Sequence, residues 1–224
     1  MLMFVKRFVL LSLFLPIVAC ADERDAYQAG VHYEILPQSV RTADPKKIEV
    51  NEVFSYQCGH CYNFQELVEK WVATLPDDVD FQRTHAVWNA PMEVYAKAYY
   101  SAIAMGVVND VHLPVFEAIH LKQQAVRNQQ DILKIFVEQG VDEERFTRVF
   151  NSFGVNSMVN QGKARTGAYR TQGTPEIVVN GRYRLSSRMS GSPSGMLDVA
   201  QFLIAKERRV QATAKLKTLS EFAP

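Results

Sequence analysis

Only three of the 224 residues are cysteine, too few for a disulfide scaffold. No stretch reaches the roughly eighteen consecutive apolar residues of a membrane-spanning helix. Net charge is also scarce. The 25 basic residues face 24 acidic ones, so a global basic footprint for nucleic acid is absent. Eleven glycines and nine prolines exclude a low-complexity chain. What remains is ordinary globular composition, 47% hydrophobic and 22% charged. A chain of this length buries a core without disulfide staples.

The N-terminus reads as an address. Lys6 and Arg7 precede an apolar run from Phe8 to Val18, the length of a signal-peptide core. Ala19-Cys20-Ala21 fits cleavage after Ala21, which would leave a soluble chain starting at Asp22. Ile17-Val-Ala-Cys20 also resembles a lipoprotein box, which would anchor the protein through Cys20. With residues 1–21 removed, the net charge becomes −1 and only Cys58 and Cys61 remain. A pair that closes so short a loop stabilises little, which points to chemistry.

The pattern alternates strands and helices. Residues 31–36, Ile48–Phe54 and 79–87 have strand composition. Cys61, Phe64, Leu67, Val68, Trp71 and Val72 recur at helical steps, predicting a helix to about Leu75. Helical patterns then cover 92–105, 113–123, 131–139, 143–150 and 158–169. Asn128 and Asp142 are expected caps, and Gly140 an expected stop. Strands return at 176–179 and 182–185, joined by the hairpin pair Asn180-Gly181. Residues 195–208 close as a helix. A helix joining two strands makes them parallel, whereas the Asn-Gly turn makes the last two antiparallel. Trp88, Tyr95, Tyr99 and Tyr100 are expected in the core. Arg182, Arg184 and Arg188 are expected on a solvated face.

The informative stretch is Phe54-Ser-Tyr-Gln-Cys58-Gly-His-Cys61-Tyr-Asn-Phe64. Cys58 falls at the strand-to-helix turn. Cys61 lies about one helical turn on, so the two sulfurs can face each other. The unpaired amides of the first turn carry partial positive charge and favour a thiolate at Cys58. Cys61, inside the helix, should be more buried and less acidic. His60, between them, can donate a hydrogen bond to the thiolate. A structural zinc site needs four ligands, yet no second cysteine pair exists, and histidines 32, 85, 112 and 120 lack ligand spacing. Covalent haem needs histidine after the second cysteine, where Tyr62 stands. An inert disulfide is the bland alternative to redox activity. No metal or organic cofactor is expected beyond the redox-active Cys58–Cys61 pair itself.

The chain resembles the thioredoxin superfamily and, within it, the DsbA-type periplasmic thiol:disulfide oxidoreductases. Residues 52–64 look like the active-site block of that family. Gly173-Thr-Pro-Glu-Ile-Val-Val-Asn-Gly-Arg-Tyr183 looks like its cis-proline loop and following hairpin. The helical insertion splits the sheet at the matching place. The resemblance spans most of residues 26–210. It implies a thioredoxin fold, an α/β mixed central sheet flanked by helices, with an inserted all-helical domain. The implied division is 1–21 signal peptide, 22–89 and 172–210 thioredoxin-fold parts, 90–171 helical insertion and 211–224 tail.

The same resemblance implies a cis peptide at Thr174–Pro175. Thr174 then borders the attacking sulfur and pairs with an extended substrate segment. Pro175 has no amide proton to compete for that pairing. Glu52, six residues before Cys58, matches the family's buried acid, which moves the proton of Cys61. Gly59, implied to border the substrate, departs from the family's usual Pro-His and resembles protein disulfide isomerase. A glycine in the first turn costs helix order, so a weaker oxidant is expected.

The implied activity donates the Cys58–Cys61 disulfide to thiols of folding exported proteins. The implied partners are those proteins and a DsbB-type inner-membrane oxidase, with no nucleic acid. A periplasmic monomer is expected. Three rivals remain: a reductase or isomerase using the same site, a redox-inert peptide-binding chaperone, and a lipid-anchored metal carrier.

Overall fold

The computed structural model describes residues 26–221, with side chains as far as residue 215. The expected signal segment, with Cys20, lies outside the described residues. The chain begins with a short strand β1 (Glu34–Ile35), then β2 (Ile48–Phe54), α1 (Gly59–Val72) and β3 (Val79–His85). A 3-10 turn (Ala90–Met92) leads into α2 (Glu93–Met105), α3 (Val108–His120), α4 (Gln129–Glu138), α5 (Glu143–Phe150) and α6 (Phe153–Ala168). The chain then returns through β4 (Glu176–Val179), β5 (Tyr183–Ser186), α7 (Ser187–Ser190) and α8 (Pro193–Glu221).

The five strands form one mixed sheet in the order β1-β5-β4-β2-β3. β2 and β3 are parallel, as a connection through α1 requires. The other pairings are antiparallel. The β4–β5 turn puts Asn180 and Gly181 at φ +50 and +59, the left-handed pair that such hairpins favour. Gly181 has a second constraint, since a Cβ there would lie 2.0 Å from the Val40 carbonyl oxygen.

All seven residues of β2 are buried, because both faces of the strand are covered. Ile48 and Val50 pack with Phe64 and Val68 of α1 and with Met196 and Leu203 of α8. Val53 belongs to the second core, with Tyr99, Phe116 and Phe136 of the helical segment. The polar residues of this strand are therefore buried too, and among them the Asn51 side chain has no hydrogen-bond partner. Glu49 finds Arg165 and the Tyr169 hydroxyl on the far side of the sheet, both at 3.3 Å.

Several boundaries differ from the pattern. Helix α3 spans Val108–His120 rather than the expected 113–123, and it runs through Pro114. Burial of Val111, Val115 and Phe116 outweighs the lost backbone hydrogen bond. Helix α6 begins at Phe153, where the Ser152 side chain caps it by accepting from the Val155 amide. Helix α8 continues to Glu221 rather than stopping at Arg208, through a stretch rich in Ala, Lys and Leu that favours helix.

Arg184 corrects the expected solvated face. It is 3% exposed, because β1 covers β5 and removes its edge. Its guanidinium lies between the carboxylates of Glu34 and Glu176 and donates to the Arg170 carbonyl oxygen at 2.6 Å. Arg182 pairs with Glu207 at 3.2 Å, and Arg188 is exposed. Among the four aromatics expected in the core, Tyr95, Tyr99 and Tyr100 are buried, whereas Trp88 is 50% exposed.

Candidate active site

Strand β2 ends at Phe54, and a four-residue turn closed by the Cys58 amide on the Ser55 carbonyl oxygen, 3.0 Å, leads into α1. Cys58 is thereby the N-cap of α1, with φ −89 and ψ 111. Its sulfur occupies the place of a capping oxygen and accepts from the Cys61 amide at 3.3 Å. Cys58 is half-buried and Cys61 fully buried, both as free thiols.

The two thiols are driven apart in acidity. A hydrogen bond from Cys61 pulls the Cys58 pKa down to about 5, against the opposing effect of burial. The Thr174 side chain and the amides of Cys61 and His60 pull the same way. Cys61 is pushed up by burial above all, then by its hydrogen bond to Cys58 and by the Cys58 charge. The Ser55 backbone opposes this in part.

The Thr174–Pro175 peptide bond is cis. In the thiol form, the Cys58 sulfur donates to the Thr174 carbonyl oxygen at 3.2 Å. A polar cleft of about 460 Å³ begins at this loop and continues past Glu176, Arg184, Arg188 and Met189. Gly59 and His60 are exposed. The His60 contribution to the thiolate comes from its backbone amide.

Glu52 is 0% exposed, and burial raises its pKa, with the Arg83 guanidinium opposing. Arg83 is its in-register neighbour on β3. It donates to Glu52 at 2.7 Å and to Glu69 of α1 at 2.7 Å. The second Glu52 oxygen has no hydrogen-bond partner. Electrostatic coupling links Glu52 to both cysteines, since each carries a repulsive contribution involving it. A larger cleft, about 870 Å³, opens beside Arg83 between α1 and α3.

Sequence reasoning missed Arg83, and with it Tyr56, His85, His112 and His120. The three histidines look scattered along the chain, but all three contact Tyr56. The usable signal for Arg83 was the parallel pairing of β2 and β3, which sets it opposite Glu52. Among the described residues, no group of three or more His, Cys, Asp or Glu side chains is placed to hold a metal ion. Also among them, no helix is long and apolar enough to cross a membrane.

Comparison with known proteins gives one consistent result. The family model of the DSBA-like thioredoxin domain matches residues 49–197. The thiol:disulfide interchange protein DsbA of Pseudomonas aeruginosa is 37% identical over 188 residues, which cover 84% of this chain and 89% of that protein. The protein of the same name from Azotobacter vinelandii is 36% identical over 182 residues, covering 81% and 85%. The crystal structure of Pseudomonas aeruginosa DsbA superposes with a TM-score of 0.81 at 37% identity, covering 84% of this chain and 98% of that one. The oxidoreductase DsbA from Xylella fastidiosa gives 0.77 at 31% identity, covering 82% and 98%.

Proposed function

The chain belongs to the DSBA-like thioredoxin domain family and is a thiol:disulfide oxidoreductase; from that premise we propose that Cys58 is its exchanging sulfur. The observation that carries this reading is the opposed acidity of two neighbouring thiols, one exposed enough to react and one buried.

The oxidised enzyme holds a Cys58–Cys61 disulfide. A substrate thiolate attacks the Cys58 sulfur, the more accessible of the two. The Cys58–Cys61 bond breaks, and its electron pair leaves on Cys61. That thiolate is unfavourable in its buried site and takes a proton. Glu52 is the group that supplies it, and Arg83 and the cleft beside α1 connect Glu52 towards solvent. A second substrate thiolate then attacks the substrate sulfur of the mixed disulfide. Cys58 leaves as a thiolate that needs no proton at neutral pH. The substrate has lost two electrons and two protons: one proton restores that of Glu52, the other goes to solvent, and the enzyme holds a Cys58 thiolate beside a Cys61 thiol. A leaving thiol of low pKa both speeds this release and stabilises the reduced enzyme, which makes the enzyme an oxidant.

Thr174 and Pro175 border the attacked sulfur. Once Cys58 has lost its proton, the Thr174 carbonyl is free to accept from the backbone of an extended substrate segment. The substrates are thiol-bearing segments of exported proteins during folding. Reoxidation falls to a DsbB-type membrane oxidase. We place the protein in the periplasm as a monomer, freed by cleavage after Ala21 or held through Cys20.

The test is equilibration in graded glutathione buffers, reading the fraction of Cys58–Cys61 disulfide. A potential of roughly −120 to −180 mV supports the oxidising role, and one near roughly −270 mV makes the protein a reductase.

A further inference from the structure

Tyr56 is the second residue of the turn that delivers Cys58 to α1, and each of its polar groups is held by a different histidine. Its amide donates to Nε2 of His85 at 3.1 Å. Its carbonyl oxygen accepts from Nε2 of His120 at 2.8 Å. Its hydroxyl meets Nδ1 of His112 at 2.9 Å. His112 and His120 both come from α3, two turns apart on one helix.

The proton arrangement follows from the partners. His85 accepts on Nε2, so its proton is on Nδ1, which donates to the Ala86 carbonyl oxygen at 2.8 Å. The Gln65 amide nitrogen donates to the Cys61 carbonyl oxygen at 3.3 Å. Its oxygen therefore faces His112 and accepts from Nε2 at 3.0 Å. Neutral His112 then has a bare Nδ1, which accepts from the Tyr56 hydroxyl. Burial favours these neutral forms and lowers both pKa values, that of His85 to about 3. One directional series thus runs from the Tyr56 hydroxyl through His112 and Gln65 to the backbone of Cys61.

His120 reaches the other side of the pair. Its ring stacks on Tyr62 at 5.3 Å with planes 12° apart. Its Nδ1 lies 4.0 Å from where a Cβ on Gly59 would stand. The ring thus sits against residues 56, 59 and 62, before, between and after the two cysteines.

We propose that Tyr56, held by His112 and His120 of α3, is a positioning residue through which the helical segment sets the hold on the Cys58 thiolate. The thiolate depends first on the Cys61 thiol, then on Thr174 and the Cys61 and His60 amides, and such bonds weaken steeply with misalignment. A turn free to shift at Tyr56 would misalign the amides that follow it. The inference rests on the thiol:disulfide reading of the same site.

The experiment compares the wild type with Tyr56→Phe, His120→Ala and His120→Gln. The readouts are the Cys58 pKa, from thiolate ultraviolet absorbance, and the equilibrium with glutathione, with urea unfolding run alongside. Tyr56→Phe and His120→Ala should each raise the Cys58 pKa. Each should also weaken oxidation of glutathione by about three- to tenfold, the scale of one net hydrogen bond. His120→Gln keeps an N–H donor and should recover most of the loss. His120 is half-exposed, so its two variants decide the matter if Tyr56→Phe does not fold. Variants that match an active wild type in both readouts, whatever their stability, overturn the proposal alone. A wild type that exchanges no disulfide overturns the parent reading and this one with it.

Discussion

The sulfur of Cys58 donates a hydrogen bond to the carbonyl oxygen of Thr174, 3.2 Å away and 116 positions later in the chain. This bond lasts only while Cys58 keeps its proton. Ionisation leaves a nucleophile and an unoccupied backbone acceptor side by side. Substrate pairing and thiolate formation therefore favour each other.

Alkylation of the reduced protein should follow one group with a midpoint near pH 5, the value to which Cys58 is lowered. Peptide mass spectrometry should find the label on Cys58 and not on buried Cys61. A midpoint near about 8.5, that of a free thiol, would contradict the capping arrangement.

Cys61→Ser should accumulate mixed disulfides with disulfide-bearing proteins, seen on a non-reducing gel, because the Cys58 thiolate attacks the partner's disulfide and no Cys61 sulfur remains to displace the bound half. Cys58→Ser should form none. Equal trapping by both variants would show that Cys61 is more accessible than its burial indicates.

Glu52 has a folded-state pKa above its ordinary value of 4.5, burial being the main cause. The folded chain therefore binds this proton more tightly than the unfolded chain does. The resulting stability is complete below about pH 4.5 and is lost as pH rises through the folded value. Glu52→Gln lacks this proton, so wild-type stability minus variant stability should fall as pH rises above about 4.5. Urea unfolding of the reduced proteins measures it, and parallel profiles would contradict it. The variant should also slow substrate oxidation, on the order of a hundredfold for loss of a proton donor.

Gly59 is the first residue of α1, where proline is well accommodated and where the amide is an orphan in any case. A Cβ there has room, with His120 Nδ1 at 4.0 Å as its nearest neighbour. Gly59→Pro should order the first turn and make the enzyme more oxidising, by roughly 10–20 mV for an ordering contribution of about 0.4–1 kcal/mol. Equilibration with glutathione reads this directly. An unchanged or lower potential would refute the link between glycine and weak oxidation.

Arg184→Met should cost about 3–5 kcal/mol in urea unfolding, because it leaves Glu176 buried without its cation. A loss below about 1 kcal/mol would mean that Glu176 takes up a proton instead.

The two motifs were legible because each is a continuous stretch. Cys58 reads as the strand-to-helix turn from the change of period around it. Asn180-Gly181 reads as a hairpin because few residues adopt its backbone. Helix α5 was legible to the residue, since Asp142 caps it. The partners of the site were not legible, because folding brings them in from elsewhere. Arg83 meets Glu52 only through strand register. His112 and His120 meet Tyr56 only once α3 packs beside α1, and nothing in their spacing anticipates one shared neighbour. Arg184 reads as solvated because a polar residue in an alternating strand normally faces water. The two-residue strand β1 reverses that outcome, yet it is too short to announce itself.

Strand β2 draws its two neighbours from opposite ends of the molecule: β3 starts at Val79, and β4 starts at Glu176. A chain growing from its N-terminus completes one side of β2 early and leaves the other side waiting. Until residues 176–179 emerge, the central strand is an edge, open to pairing with any other extended chain. The same interval exposes Cys58 without Thr174 beside it. Prematurely terminated chains would therefore combine a sticky edge with an unpartnered thiol. Disposal of such fragments is a cost that this order of strands imposes on the cell.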